Sequence, residues 1–430
     1  MVLDQTMVRQ GRADPKTLAG VLTVVAVCAI GLMEVWNTFM ADLSAVYMAG
    51  YFYGIGKPEL IYDAPPGFFG SSPPTWAPYM EDFGLGDQFV TPYVYPPLWA
   101  AMISPIATSV SPQAFFNGVA VLQATLGALS IWLAWRIAGP RAPALWIWLM
   151  MSAGLLLTSL ISTFAFLLMQ PQILVTFLTL LAFERYLAGR AGLAGSILGL
   201  AAMLKLAPAG FALIFLLDRN WRALGAFAAT CAVIGGLGLF LIGPELHLAF
   251  RAAVDVVQNT LFLSSTNYSV TPLLPVLGDW LGLLPPLDVS GYNVRIRSGM
   301  EGARLASKAV FALLVLWMVL RTQRMPEAVR LPVRLMSLSL LLNLFGPLGW
   351  IHYYLLPLLL LPSLPAFLPP ARAYAVIGIF GLLTSNWLFW RLREVWNGDL
   401  ASVSFSVAVM LCLFFAILTP GRRSDGDWQG

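Results

Sequence analysis

The chain has 430 residues, of which 59% are hydrophobic and only 11% are charged, and its mean hydropathy is +0.77. Soluble domains carry about a quarter charged residues, so this composition excludes a soluble globular protein. The continuous apolar runs exclude a membrane β-barrel, whose strands alternate, and the net charge of +4 reflects basic loops on one side of a membrane rather than a nucleic-acid surface. We therefore predict an all-α polytopic membrane protein.

Apolar runs of membrane-spanning length follow one another along the chain. The first, 17–36, comes after Arg9, Arg12 and Lys16, which places the N-terminus in the cytoplasm by the positive-inside rule. Further runs are predicted at 112–138, 142–159, 164–183, 223–242, 305–320, 335–348, 355–368, 373–390 and 402–418. With a broken hairpin over 191–217, we expect a helical bundle of about 11–13 spans in the inner (plasma) membrane, with both termini cytoplasmic.

Two long polar segments interrupt the spans, and the alternation of loops places both outside. The first outer loop, 37–112, contains Asp42 near its start and a short apolar run at 97–110, which we predict to be an interfacial or re-entrant helix. The second outer region covers 243–303. We expect both to belong to a single transmembrane domain that comprises the whole chain, 1–430.

Lys205 lies in the middle of the apolar run 191–217, and Pro208 follows closely. A charged residue inside a membrane segment is costly and by default functional, although snorkelling of its side chain to an interface is the simpler alternative. Basic residues flank both ends of the run, which favours a broken hairpin with Lys205 near its tip over a single kinked span. At such a tip the lysine is placed to meet a lipid phosphate.

Two outer residues have side chains suited to acid–base chemistry. Asp42 follows the first span among apolar neighbours, and partial desolvation of a carboxylate raises its proton affinity toward that of a general base. The structural alternative is that Asp42 is the N-cap of the next helix. His352, one of two histidines, lies among Trp350, Tyr353 and Tyr354. It is either a catalytic or phosphate-binding partner of Asp42 or an interfacial anchor.

Further residues on the outer side are candidates for binding a substrate. They are polar, aromatic or basic and fall in outer loops or at outer helix ends: Tyr62, Asp63, Tyr95, Gln170, Asn267 and Arg297. The three cysteines lie in separate apolar runs, and the sequence contains no Cys/His cluster, so we predict neither a metal site nor a redox site. The expected partners are the lipid bilayer and membrane-borne substrates, with no nucleic acid.

A series of short motifs is similar in content and order to a known family. The motifs are Asp42-Leu-Ser-Ala-Val-Tyr47-Met-Ala49 with Gly56, Tyr62-Asp63, Tyr95-Pro96-Pro97-Leu98, Gln170-Pro-Gln172, Lys205-Leu-Ala-Pro208, Asn267-Tyr-Ser269 and Gly346-Pro-Leu-Gly-Trp350-Ile-His352-Tyr. Together they resemble the polyprenol-phosphate-dependent mannosyltransferases of glycosyltransferase family 87, which belong to the GT-C superfamily.

The resemblance implies a GT-C-type bundle and a reaction. Such an enzyme moves a sugar, expected here to be mannose, from a polyprenyl-phosphate donor to a lipid or glycan acceptor at the outer (periplasmic) face, with inversion. On this resemblance Asp42 is the general base, His352 is the family's histidine, and Lys205 or an outer arginine holds the donor phosphate. The lipid-linked sugar is a co-substrate, and no cofactor or metal is implied.

Two features depart from the family's pattern. The stretch 64–92 is longer and richer in proline and aromatic residues, and we expect it to shape the acceptor side. Gln170-Pro stands where the family has Gly-Gln. The alternative function is a transporter or flippase of a lipid-linked glycan, but a transporter needs a central polar pathway, and few charged residues besides Lys205 lie in mid-span.

Overall fold

The computed structural model describes residues 14–65, 68, 69, 71–284, 295–298, 301–396 and 398–419. Within these residues the chain is predominantly helical, and two short antiparallel strands, β1 (Thr260–Leu263) and β2 (Arg295–Ser298), form the only sheet. The predicted all-α polytopic fold is therefore confirmed.

The α-helices follow one another with short connections. The first half contains α1 (Pro15–Val35), α2 (Ala41–Gly54), α3 (Ala77–Asp82), α4 (Pro97–Ala107), α5 (Pro112–Ala138), α6 (Leu145–Thr158), α7 (Leu160–Leu168), α8 (Gln172–Leu187) and α9 (Ala191–Leu204). The second half contains α10 (Ala212–Leu217), α11 (Trp221–Ile242), α12 (Pro244–Asn259), α13 (Leu273–Trp280), α14 (Glu301–Gln323), α15 (Glu327–Leu344), α16 (Leu355–Leu360), α17 (Pro370–Leu383), α18 (Asn386–Val395) and α19 (Asp399–Leu418). Short 3-10 turns cover Pro58–Leu60, Pro74–Trp76, Gly139–Arg141, Ala207–Phe211, Ile351–Tyr354 and Leu361–Ala366.

Five of the described helices, α1, α5, α11, α14 and α19, are long and apolar enough to cross a membrane. The bent pair α7–α8 passes the same test as one broken span, and six shorter apolar segments accompany them. The predicted total of about 11–13 spans therefore requires most of the shorter segments to cross as well. Arg9, Arg12 and the basic tail 421–423, on which the predicted cytoplasmic termini depend, lie outside the described residues.

The predicted single span 164–183 is wrong, because a bend of 114° separates α7 from α8. Met169 has a left-handed backbone with φ of +47°, and its carbonyl accepts a hydrogen bond of 2.9 Å from the buried Gln123 Nε2. Pro171 disfavours helical geometry at Gln170, which completes the break. The predicted run 373–390 is likewise two helices, α17 and α18. Apolar periodicity does not distinguish a straight span from a broken one.

The segment around Lys205 is a hairpin, as the sequence favours. Gly195 of α9 packs on Ala223 of α11, and Gly199 packs on Thr230, so the two helices run parallel. A Cβ atom at Gly195 would lie 2.0 Å from the Ala223 carbonyl oxygen, which shows how closely the backbones approach. Because both helices start at the same end of the bundle, the chain between them must return to that end. Lys205 lies at the turning point, and a single kinked span is excluded.

Candidate active site

A cavity of about 660 Å³ opens where α2, the α7–α8 bend, the hairpin tip and the Ile351–Tyr354 turn meet. The amphipathic helix α12 covers one side through Phe250, Val254 and Val257, and most of the described lining is apolar. Asp42 is the only carboxylate, Lys205 the only ammonium group and His352 the only imidazole among the described residues that line the cavity. A few polar groups in an apolar concavity are typical of a substrate site.

Asp42 lies in the first turn of α2, a helix outside the candidate spans, and is 8% exposed. Met40 occupies the N-cap position without a capping side chain, so the N-cap interpretation of Asp42 is wrong. Instead, Asp42 Oδ2 accepts a 2.5 Å hydrogen bond from Gln170 Nε2, and the Thr91 hydroxyl lies close enough to favour the ionised carboxylate by hydrogen bonding. Burial raises the pKa of this carboxyl above its ordinary 3.8, against the opposing effect of those hydrogen bonds and of Lys205. Such a carboxylate is suited to accept a proton.

His352 is 1% exposed in the Ile351–Tyr354 turn, so the interfacial-anchor interpretation is wrong. Its Nε2 lies 2.9 Å from Gln170 Oε1. An amide oxygen only accepts hydrogen bonds, and therefore Nε2 carries the hydrogen. The other ring nitrogen, Nδ1, is buried and has no hydrogen-bond partner among the described residues.

Lys205 lies in the break between α9 and the Ala207–Phe211 turn. Its Nζ donates to Gln172 Oε1 at 2.9 Å and to Gln170 Oε1 at 3.3 Å, and it lies 3.6 Å from the centroid of the Tyr353 ring. Within the described part of the chain Lys205 forms no ion pair, and its partners are all neutral. The ammonium group therefore presents its positive charge to the cavity without a direct ion-pair partner, and the Asp42 carboxylate, joined to it through the Gln170 amide, is the opposite charge that acts on it.

Three of the residues predicted to bind substrate lie in the first outer loop, and only one of them lines the cavity. Tyr95 lines it, and its carbonyl oxygen accepts a 2.7 Å hydrogen bond from the hydroxyl of Tyr62. Tyr62 therefore supports the loop and is not among the described lining residues. Asp63 accepts hydrogen bonds from the backbone and hydroxyl of Thr75, which ties two parts of the loop together away from the site.

Two predicted residues belong to the second outer region. Asn267 is fully buried, donates to the Phe262 carbonyl at 2.6 Å and accepts from the Gly349 amide at 2.8 Å. It therefore fixes the backbone just before His352 instead of lining the cavity. Arg297 pairs with Leu261 in the sheet, and its side chain lies outside the described part of the structure.

Sequence reasoning missed the supporting residues of the site, which are Thr91, Gln123, Gln172 and Tyr353. Gln172 was part of a recognised motif, but no role was assigned to it. Tyr353 was interpreted only as an aromatic neighbour of His352. Thr91 and Gln123 carried no signal, since their roles depend on contacts distant in sequence. No group of three or more His, Cys, Asp or Glu side chains that could hold a metal is present in the described ranges.

The model of glycosyltransferase family 87 matches residues 93–343, which is more than half of the chain. The chain belongs to glycosyltransferase family 87. The resemblance drawn from the motifs is confirmed, the protein is a multi-pass membrane glycosyltransferase, and the transporter alternative is set aside. The matched range includes Gln170 and Lys205, whereas Asp42 and His352 lie on either side of it.

This family 87 enzyme is also similar to a characterised relative. It is 28% identical over 353 residues, 77% of this chain and 78% of the relative, to the polyprenol-phosphate-mannose-dependent alpha-(1-2)-phosphatidylinositol mannoside mannosyltransferase of Mycobacterium tuberculosis (strain ATCC 25618 / H37Rv). The name of that relative states its donor, polyprenol-phosphate-mannose, and associates it with phosphatidylinositol mannosides.

Proposed function

We propose that this family 87 enzyme transfers a mannosyl residue from polyprenyl-phosphate-mannose to a hydroxyl of a lipid-linked acceptor, with inversion, at the outer face of the plasma membrane. The proposal includes a cytoplasmic location for both termini. The observation that best supports the proposal is the convergence of Asp42 and Lys205 on one largely apolar cavity. The relative from M. tuberculosis supports the classes of donor and acceptor.

The step is a single displacement at the anomeric carbon. The acceptor hydroxyl gives its proton to Asp42 while its oxygen bonds to that carbon, and the bond from the carbon to the phosphate oxygen breaks. The electron pair leaves with polyprenyl phosphate, whose developing charge is stabilised by Lys205. Retention by double displacement would need a second carboxylate as nucleophile, and Asp42 has no companion carboxylate among the described lining residues. The lipid-linked sugar is consumed as a co-substrate, and the proposal requires neither metal nor cofactor.

The general-base role is tested with Asp42→Asn in lipid nanodiscs. The assay supplies polyprenyl-phosphate-mannose and phosphatidylinositol mannosides and measures transferred mannose and released polyprenyl phosphate. We expect the rate to fall about 100-fold or more, since general base catalysis contributes 10²–10⁴-fold, with an unchanged thermal unfolding temperature. Asp87→Asn, an exposed carboxylate of the same loop, is the matched control. Full transfer by Asp42→Asn would contradict the proposal.

The pH dependence follows from the same residue. The carboxyl is active as a base only when ionised, and burial raises its pKa above 3.8. As the pH is lowered, the rate should therefore fall, and the midpoint of this fall should lie above the pKa of an ordinary aspartate. A pH profile of kcat on the wild type measures this limb, and a profile that stays flat down to pH 4 contradicts it.

A further inference from the structure

One neutral side chain of the cavity contacts its carboxylate, its imidazole and its ammonium group. Gln170, 9% exposed, donates from Nε2 to Asp42 Oδ2 at 2.5 Å. Its Oε1 accepts from His352 Nε2 at 2.9 Å and from Lys205 Nζ at 3.3 Å. The carboxylate, the histidine and the cation are therefore joined through a single amide.

The partners permit only one orientation of that amide. A reversed amide would turn its N–H groups toward the Lys205 ammonium and its oxygen toward the Asp42 carboxylate, which is repulsive at both ends. The observed orientation also selects the tautomer of His352, because Oε1 requires a hydrogen on Nε2. The Gln170 amide thus determines which lone pairs of Asp42 and His352 stay free.

The backbone at Gln170 is held in an unusual form. Met169, directly before it, adopts a left-handed conformation that is uncommon for a residue other than glycine. The buried Gln123 amide fixes the Met169 carbonyl at 2.9 Å. The 114° bend that results brings the Gln170 side chain to the cavity at the helix break. Strained backbone beside a polar site is a common feature of functional positions.

We propose that Gln170 is the positioning residue of this site: it holds Asp42 for the acceptor hydroxyl and keeps His352 in the Nε2–H form, so that Nδ1 is the ring atom left for a substrate. Gln170 acts through these two residues. The chemical consequence rests on the proposed function, whereas the hydrogen-bond arrangement is measurable without turnover.

The tautomer is the first test, because the chain has only two histidines. His247 Nδ1 lies 2.8 Å from the Gly243 carbonyl oxygen, so His247 carries its hydrogen on Nδ1 and His352 on Nε2. At mildly alkaline pH, ¹⁵N NMR of histidine-labelled protein in lipid should show one neutral ring protonated on Nδ1 and one protonated on Nε2. The signals that disappear in His247→Gln are those of His247. Gln170→Leu should shift the His352 signals and leave those of His247 in place. A wild-type His352 protonated on Nδ1, or unchanged signals in Gln170→Leu, overturns the proposal.

Kinetics are the second test. Gln170→Glu places a carboxylate beside Asp42, so the acid limb of the kcat profile should move up by about 1 pH unit or more. Gln170→Leu should lower kcat by about 100-fold, the scale of a misplaced catalytic group, with little change in KM. Gln172→Leu, which removes the contact to Lys205 and a longer one of 3.4 Å to Thr176 and touches neither Asp42 nor His352, should raise the KM for the donor and keep the acid limb. Gln323→Glu, the same amide-to-carboxylate change at the exposed end of α14, is the control.

The two proposals fail in different ways. If the wild type transfers no sugar from any polyprenyl-phosphate donor, the proposed function fails, and the NMR experiment still decides the arrangement around Gln170. If the wild type is active and Asp42→Asn is not, but Gln170→Glu keeps the wild-type acid limb, only the positioning role is overturned.

Discussion

Lys205 differs from two other buried charges of this enzyme, Arg334 and Glu184, in the nature of its partners. Arg334, 3% exposed, forms a 2.6 Å ion pair with Asp218. The buried Glu184 is paired with two arginines. A buried charge is costly unless an opposite charge compensates it. The hydrogen-bond partners of Lys205 among the described residues are neutral, and Asp42 is linked to it through the Gln170 amide. On the proposed function, the phosphate of the donor supplies the direct ion-pair partner that Lys205 lacks.

Replacement of this charge separates stability from binding. We expect Lys205→Met to unfold at the same temperature as the wild type or higher, because it removes a buried charge that has no direct ion-pair partner. We expect it to bind polyprenyl phosphate about 10- to 100-fold more weakly, since a hydrogen bond to a charged group contributes about 1.5–3 kcal/mol. Thermal unfolding and fluorescence titration with polyprenyl phosphate measure the two effects. Lys308→Met, exposed on α14, is the control, and undiminished affinity in Lys205→Met contradicts the phosphate-binding role.

The cavity residues that could be predicted from sequence are those whose types are rare in an apolar chain. Asp42, Lys205 and His352 attract attention because a buried charge or an isolated histidine needs a reason. Tyr62, Asp63 and Asn267 also looked functional, yet their side chains satisfy backbone or hydroxyl groups of the loops. A polar residue in an outer loop serves either purpose, and only its contacts tell which.

At the scale of elements, the site depends on broken helices. The returning hairpin could be predicted because charges flank both of its ends. The α7–α8 bend could not, because its cause is a contact with Gln123, 46 positions before Met169. A helix break set by tertiary contacts leaves only a weak trace in local composition, here the proline at 171.

The bend predicts an uncommon phenotype for Gln123→Leu. The substitution leaves the Met169 carbonyl without its partner, but it also removes Gln123 Oε1, which is buried without a partner among the described residues. Each unpaired group costs about 1–3 kcal/mol, so the two effects nearly cancel in the free energy of unfolding. Turnover should still fall by about 10-fold or more, because Gln170 loses its fixed position.

Two measurements check this expectation. Denaturation in detergent and the transfer assay are run on Gln123→Leu and on Thr125→Val, which changes an exposed side chain of the same helix. Thr125→Val should match the wild type in both. Normal turnover in Gln123→Leu would show that the bend holds its shape without the amide.

At the scale of the whole molecule, the proposed reaction requires the first outer loop and the loop after α14 to face opposite sides of the membrane. In a variant without native cysteines, a cysteine at Asp87 should react with an impermeant maleimide in intact cells. A cysteine at Arg324 should react only after permeabilisation. Both positions are exposed. Labelling of both from the same side contradicts the predicted topology.

The close pairing of α9 and α11 has a consequence for which lipids the enzyme accepts. Because the Gly195 backbone lies directly against the Ala223 carbonyl, the hairpin cannot slide along its neighbour, and its tip is fixed. The ammonium group of Lys205 therefore stands at one constant depth. On the proposed function, a donor must bring its phosphate to that depth while its chain stays in the bilayer, and we therefore expect the enzyme to discriminate among lipids by the distance between the membrane-embedded chain and the phosphate.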